Sequence, residues 1–319
     1  MQRAKSGLES ISDLNIRTDA CLADYTRFGL GGPADVLAEA GTEAAFIAAI
    51  QSVRSAGIPL EIIGGGSNLV CSDEGFRGVV LRYIAQRIHQ DVNCVTFEAG
   101  AVLQDLVDFT IDRGLAGIHT MTGIPGWTGG AVYGNAGAYG HSIHESVSRV
   151  RFFDGSDVRE FGNAECQFRY RESIFKQRKD WVIFAASLEL TPGDATELRK
   201  QADEILAVRN AKYPPTMKCA GSIFKNLLFA ELPAGAQAEV PPKVVREGKV
   251  PSAWFLEQVD AKGIRNGGIQ VADYHANLIY NEGDGTAAQV REIIDDLKAR
   301  VLARFGFRLE EEVQYIGFR

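Results

Sequence analysis

Sulfur is scarce in this sequence, long apolar runs are missing, and positive charge is in deficit. Among 319 residues there are 5 cysteines and 3 methionines. The cysteines (Cys21, Cys71, Cys94, Cys166, Cys219) are odd in number, scattered, and form no Cys-x-x-Cys pair. That argues against a disulfide scaffold and a structural zinc site, and it fits a reducing cytoplasm. No stretch approaches the ~20 apolar residues that a membrane helix needs. The opening MQRAKSGLES has basic residues with no apolar run behind them, so no signal peptide is expected. Lys and Arg number 34 against 41 Asp and Glu, a net charge of −7. A nucleic-acid binder needs a basic footprint to neutralise phosphates, so that class is set aside. A small anionic ligand stays open, because a local Lys/Arg cluster can act inside an acidic envelope. His141-x-x-His144-Glu145 lacks a third ligand at suitable spacing, so no metal is expected. No feature implies a protein partner.

Glycine, by contrast, is plentiful, with 34 residues. Hydrophobic residues make up 45% and charged residues 24%, enough for the cores of two or three lobes. A helix is expected from Thr42, with Phe46, Ala49, Ile50 and Val53 on one face and Gly57 as its stop. LEII (60–63), GVVLRYI (78–84), CVTFEAG (94–100), VRFFD (150–154), WVIFAASLEL (181–190) and HANLIYN (275–281) read as strands. VLQDLVDFTIDRG (102–114), DATELRKQADEILAVRNAKY (194–213), SAWFLEQV (252–259) and Thr286–Phe305 read as helices. Pro214–Pro215 halts the second of these and marks a domain boundary. FRLEEEVQYIG (307–317) reads as a last strand. From Gly114 to Gly140 the chain is too glycine-rich for regular elements, and structured loops are expected. Without a strict βαβ repeat, the class is α+β with several lobes.

Three glycine clusters stand out: FGLGGPAD (28–35), IGGGSNLV (63–70) and GIPGWTGGAVYGNAGAYG (123–140). Glycine turns expose runs of backbone N–H groups that can cradle phosphate oxygens, since no side chain blocks the approach. A single cluster is more often a tight turn. A P-loop needs Gly-Lys-Ser/Thr, and no cluster ends that way. A dinucleotide fingerprint needs a helix after the glycines, and VCSDEGFRG follows instead. A diphosphate held by loops remains.

TRFGLGGPAD, IGGGSNL, GIPGWTGGA, NAGAYG, YRES-F, GSIFKN, HANLIYN and LEEEVQYIG occur in this order along the chain. In that series the chain resembles the UDP-N-acetylenolpyruvoylglucosamine reductase family of peptidoglycan precursor synthesis, from about Asp24 to Gly317. The resemblance implies non-covalent FAD, held by two lobes of the vanillyl-alcohol-oxidase type (1–84 and 85–213, with 307–319 returning to the second). It also implies a substrate-binding lobe (214–306). The short connection from YRES to GSIFKN resembles the subgroup without an extra loop over the substrate channel. The implied reaction passes a hydride from NADPH to the flavin, then to C3 of the enolpyruvyl ether of UDP-N-acetylglucosamine enolpyruvate, with a proton added at C2.

Three groups match the family's catalytic positions, and the resemblance implies that they converge beside the flavin ring. Ser222 corresponds to the proton donor, whereas taken alone it is a Gly-Ser turn residue. Arg171 corresponds to the arginine whose planar fork holds the enolpyruvyl carboxylate; by composition its neighbour Arg169 is equally eligible. Glu312 corresponds to a carboxyl that hydrogen-bonds the developing enolate, and Glu311 stands where the family has proline. Cofactor contacts are implied at Gly64, Gly65, Gly66, Ser67, Asn68 and Leu69, at Gly123, Ile124, Pro125 and Gly126, at Thr128, Gly129, Gly130 and Ala131, and at Asn135, Ala136, Gly137 and Tyr139. Substrate contacts are implied at Tyr170, Lys225, Asn226, Lys262, Arg265, Gln270, His275 and Asn277. Leu227 replaces a family proline, and no role is assigned to the stretch 230–252. Rival readings are an acyl-serine enzyme, suggested by Ser222-x-x-Lys225 but lacking Ser-Asp-Asn and Lys-Thr-Gly elements, a flavin oxidase of the same fold, and a non-catalytic binder.

Overall fold

The helix expected from Thr42 spans Glu43–Ser55, and Thr42 Oγ1 caps it by accepting the Ala45 N–H at 3.2 Å. Ala287–Phe305 begins on a Thr286/Gln289 capping box and stops at Gly306, whose φ of 77° is the left-handed conformation that ends helices cheaply only at glycine. The computed structural model, which describes residues 2–318, groups these elements into two units.

One unit contains the residues up to Ala20, Ala34–Gly65 and Arg77–Pro215. Its four-stranded sheet has the order Leu14–Cys21, Pro33–Ala40, Phe76–Tyr83, Leu60–Ile62, with the last two parallel. Its five-stranded antiparallel sheet has the order Val158–Gly162, Val147–Phe153, Val182–Glu189, Cys94–Glu98, Ile88–Asp91. Sequence reading divides this region at 84/85, but one apolar core spans both sheets. Phe46, Tyr83 and Phe184, from the helix and from each sheet, meet with centroids 5.0 to 5.8 Å apart. Tilted and edge-on ring contacts of this kind are favourable beyond the area they bury, and here they make the two sheets one body.

The other unit contains Cys21–Pro33, Gly66–Phe76 and the residues from Thr216 onward. Its antiparallel sheet has the order Lys218–Ser222, Leu278–Asn281, Ile269–Val271, Arg265–Asn266. Ala287–Phe305 lays Val290, Ile294, Leu297 and Val301 into a core that includes Phe224, Phe255 and Ile279. The tail differs from expectation. Only Gln314–Ile316 is regular strand, and it pairs in parallel with Leu69–Cys71 rather than returning to the 85–213 region. Leu309 and Val313 explain this, since both are buried in the second unit's core. The stretch without an assigned role forms a hairpin, Leu227–Leu228 against Lys249–Val250, and a short helix, Ala234–Glu239. Its Leu232, Ala236, Val240 and Val250 extend the same core.

The glycine-rich region holds a helix that sequence reading misses, Thr128–Tyr133. Two glycines argue against a helix by propensity, yet one of them, Gly129, lets it lie hard against the end of the Cys94–Glu98 strand. A Cβ on Gly129 would stand 2.7 Å from the Ala99 Cβ. Main-chain bonds from Thr128 N–H to Ala101 O (2.8 Å) and from Gly129 N–H to Ala99 O (2.9 Å) fix that approach. Among the described residues no helix is long and apolar enough to cross a membrane.

Candidate active site

Ser222 closes the strand Lys218–Ser222 just after Gly221, whose φ is 76°. The pairing with Leu278–Asn281 shifts register between Cys219 and Ser222, which a left-handed glycine permits. Beyond the shift, the chain is held on both sides. Ile223 N–H donates to Asn277 O at 3.2 Å, Lys225 N–H to Glu310 O at 2.9 Å, and Glu312 N–H to Ile223 O at 2.7 Å. Asn68 Nδ2 donates to Glu312 O at 2.9 Å, and Gln314 N–H to Asn68 O at 2.9 Å. The second unit therefore brings the Ser222 turn, the Glu312 segment and the Asn68 loop together through the main chain. Lys225, 9% exposed, forms an ion pair with Glu310. Glu311, the departure from the family pattern, is drawn to Lys298 on the long helix at 2.5 Å. Its carboxylate is thus committed there.

Arg171 belongs to the first unit. It sits with Tyr170 at the tip of a turn closed by reciprocal main-chain bonds between Arg169 and Glu172, at 3.0 and 3.1 Å. Its φ of 57° is left-handed, a strain of about 1–3 kcal/mol for a residue with a Cβ. The surroundings impose it. Arg171 Nη1 donates to Gly137 O at 3.1 Å, Lys176 Nζ to Arg171 O at 2.8 Å, and Ser173 Oγ to Tyr133 O at 2.7 Å. Asn135 Nδ2 donates to Arg169 O at 2.8 Å, while Asn135 Oδ1 accepts the His144 N–H at 3.3 Å. The NAGAYG and YRES loops are one hydrogen-bonded assembly. Asn135, anticipated at the cofactor, has its amide engaged in holding that assembly. Thr128, also anticipated there, is 0% exposed and donates from Oγ1 to Glu98 O at 2.8 Å.

The glycines decide whether a cofactor fits. Gly65 is explained by the protein itself, since a Cβ would reach 2.8 Å from Trp127. Gly66, Gly123, Gly129 and Gly137 are crowded in the same way, by Tyr25, Leu206, Ala99 and His141. Gly64 and Gly130 are not. A Cβ on Gly64 would find only the Trp127 ring, at 3.9 Å, and one on Gly130 nothing within 4 Å. Two bare main-chain surfaces facing open space, one in the 63–70 loop and one on the helix Thr128–Tyr133, are what a group approaching the backbone needs. The open backbone at Gly64 and Gly130 fits a group such as FAD.

Of the anticipated substrate residues, Arg265 and Gln270 pair across the sheet and join Glu282 and Tyr280. Arg265 donates to Gln270 Oε1 at 2.9 Å, and Tyr280 OH donates to the same oxygen at 3.0 Å. Tyr280 was not singled out; its register opposite Gln270 would have indicated it. Lys262 pairs with Glu257 at 2.7 Å, and His275 caps a turn through its N–H to Ala272 O. Asn226 Oδ1 accepts the Ser252 N–H at 3.3 Å. Asn277 is buried, with its amide on Phe224. His141 pairs with Glu145 at 2.9 Å, and among the described residues no three His, Cys, Asp or Glu are placed to hold a metal ion.

His119 lies four residues before Gly123. Its imidazole is held below the usual range by burial, opposed by a Gln201 hydrogen bond and reinforced by His141, and its Nδ1 is buried without a hydrogen-bond partner. The folded state therefore binds fewer protons than the unfolded chain, so stability falls as pH drops below about 6.5. In His119→Gln the Tm should depend less on pH between roughly 6.5 and 5 than in the parent, as thermal melts across that window would show.

A family model described as the C-terminal domain of UDP-N-acetylenolpyruvoylglucosamine reductase matches residues 213–316, and an FAD binding domain model matches residues 34–157. The UDP-N-acetylenolpyruvoylglucosamine reductase of Solibacter usitatus is 59% identical over 97% of this chain and 99% of its own length. That of Heliobacterium modesticaldum is 36% identical over 93% and 89%. The crystal structure of the Thermus caldophilus reductase (MurB) aligns with a TM-score of 0.74 at 27% identity, covering 95% of this chain and 99% of that one. With relatives this similar along nearly its whole length, the chain belongs to the UDP-N-acetylenolpyruvoylglucosamine reductase family.

Proposed function

We propose that this chain reduces the enolpyruvyl ether of UDP-N-acetylglucosamine enolpyruvate to UDP-N-acetylmuramate, with Ser222 giving the proton to C2. FAD is the cofactor and NADPH the reductant; between them they supply the hydride. The protein must hold the substrate carboxylate, stabilise charge as it develops and deliver a proton. Arg171 takes the first task, since its guanidinium stays charged throughout and its fork matches a carboxylate. Glu312 hydrogen-bonds the developing enolate. Lys225, Arg265 and Gln270 contribute to holding the UDP-sugar. Cysteines that form no disulfide among the described residues fit a reducing compartment, and a cytoplasmic location goes with this reading.

The observation that carries the proposal is the pairing of 223–225 with 310–312, which sets the Ser222 hydroxyl and the Glu312 carboxyl on adjoining segments. A serine hydroxyl is a weak acid in water, but it serves when the acceptor is strongly basic and within hydrogen-bond reach. The purified protein should be yellow, lose that colour with NADPH under anaerobic conditions, and regain it when UDP-N-acetylglucosamine enolpyruvate is added. Colour regained with oxygen but not with that substrate would favour an oxidase. A colourless protein that takes up no FAD would overturn the reading.

A further inference from the structure

One side chain serves both polar groups of a residue just past Ser222. Asn277 Oδ1 accepts the Phe224 N–H at 2.9 Å, and Asn277 Nδ2 donates to the Phe224 carbonyl at 2.9 Å. The amide also donates to Ser252 Oγ at 2.8 Å, and Ser252 Oγ donates to the same Phe224 carbonyl at 3.2 Å. Two further bonds secure the turn at either end, Ile223 N–H to Asn277 O and Ser252 N–H to Asn226 Oδ1. Exposure is 3% at Asn277, 0% at Ser252 and 1% at Phe224, so water does not compete for these bonds and each is stronger than at the surface.

We propose that Asn277 and Ser252 are positioning residues for proton delivery: a buried amide–hydroxyl clamp that fixes the direction in which the 222–226 turn presents Ser222. This rests on Ser222 being the donor. Beyond the register shift and the end of the strand at Ser222, the Asn277 amide takes the place of the Leu278–Asn281 strand at Phe224. Upstream, Ser222 is paired with Leu278, but a Cβ on Gly221 would meet nothing within 4 Å, so side-chain packing adds no restraint at that glycine. Downstream, the clamp supplies one. Proton transfer tolerates donor misplacement of only about 0.5 Å, so loosening the clamp should cost rate. Asn277 is also in the HAN motif from which a substrate contact was anticipated. A contact residue changes affinity; a positioning residue changes the rate of the step it positions.

The experiment compares Ser252→Ala, Ser252→Thr and Asn277→Asp as holoenzymes, beside Ser222→Ala. In Ser252→Ala, reoxidation of the bound flavin by UDP-N-acetylglucosamine enolpyruvate should slow by about 5–10-fold, and in Asn277→Asp by about 100-fold. Bleaching by NADPH and the dissociation constant for UDP-N-acetylmuramate should each stay within about twofold of the parent. The solvent deuterium isotope effect on reoxidation should rise, because proton transfer becomes more limiting. Ser252→Thr, which retains the hydroxyl, should restore the rate. Parallel loss of both half-reactions, weakened product binding at an unchanged reoxidation rate, or parental behaviour of Ser252→Ala and Asn277→Asp would overturn the clamp. If Ser222→Ala itself reoxidises at the parental rate, the donor assignment is what has failed, and the clamp falls with it. If Ser222→Ala is slow while the clamp variants are not, the clamp alone is wrong.

Discussion

In Ser222→Ala, NADPH should bleach the bound flavin at close to the parental rate, while reoxidation by UDP-N-acetylglucosamine enolpyruvate should slow about 10³-fold. The asymmetry follows from where the proton is used. The NADPH half-reaction adds nothing to C2 of the enolpyruvyl group, whereas the second half cannot finish without that proton. Loss of a positioned general acid costs about 10²–10⁴ in rate, and 10³ corresponds to about 4 kcal/mol at the barrier. The fold should barely register the change. The turn is held by main-chain bonds at Ile223, Lys225 and Glu312 and by the Asn277 amide, none of which needs the serine hydroxyl. Stopped-flow measurement of each half-reaction, with thermal melts, reads all three quantities. Ser222→Cys sharpens the test, because a thiol is a far stronger acid than a hydroxyl and should recover part of the rate. Equal loss in both half-reactions would show that Ser222 supports the cofactor rather than the proton.

Local signals were legible because they depend on neighbours in sequence. Thr42, the Thr286/Gln289 pair and Gly306 announce helix ends by capping chemistry, and apolar periodicity shows which faces are buried. What was hidden depends on distant partners. The segments 21–33 and 66–76 join the C-terminal unit, and no composition change at their ends marks this. The tail reads as one strand, yet it makes two successive pairings. Residues 310–312 bond to 223–225, and Gln314–Ile316 then pairs with Leu69–Cys71. The helix Thr128–Tyr133 was hidden because propensity counts Gly129 against a helix, while the gain from its close approach to Ala99, where no Cβ would fit, exists only in the folded state. Motif and role come apart for the same reason. Asn277 stands out in HANLIYN, but its amide is spent on Phe224, which sequence places fifty-three positions away.

Gly66→Ala should destabilise the protein by about 3 kcal/mol or more and lower its Tm by roughly 6–12 °C. Two costs combine. The residue sits at φ 66°, where a Cβ is disfavoured, and that Cβ would lie 1.8 Å from the Tyr25 carbonyl oxygen and 3.1 Å from the Thr26 Cα. Main chain, not a flexible side chain, would have to move, and Arg27 N–H is anchored to Gly66 O at 3.1 Å. Gly64 in the same motif supplies the contrast. Its φ is unexceptional and its nearest neighbour is the Trp127 ring at 3.9 Å, so Gly64→Ala should melt within about 2 °C of the parent. If the bare backbone there serves the cofactor, this variant should retain at least about tenfold less FAD after gel filtration, a loss of ~1.4 kcal/mol or more in binding. Gly130→Ala should do the same while the apoprotein becomes as stable as the parent or more so, because alanine is favoured over glycine within a helix by about 1 kcal/mol. Unchanged FAD retention in both would place the cofactor elsewhere, and the loop glycines would then be serving the fold alone.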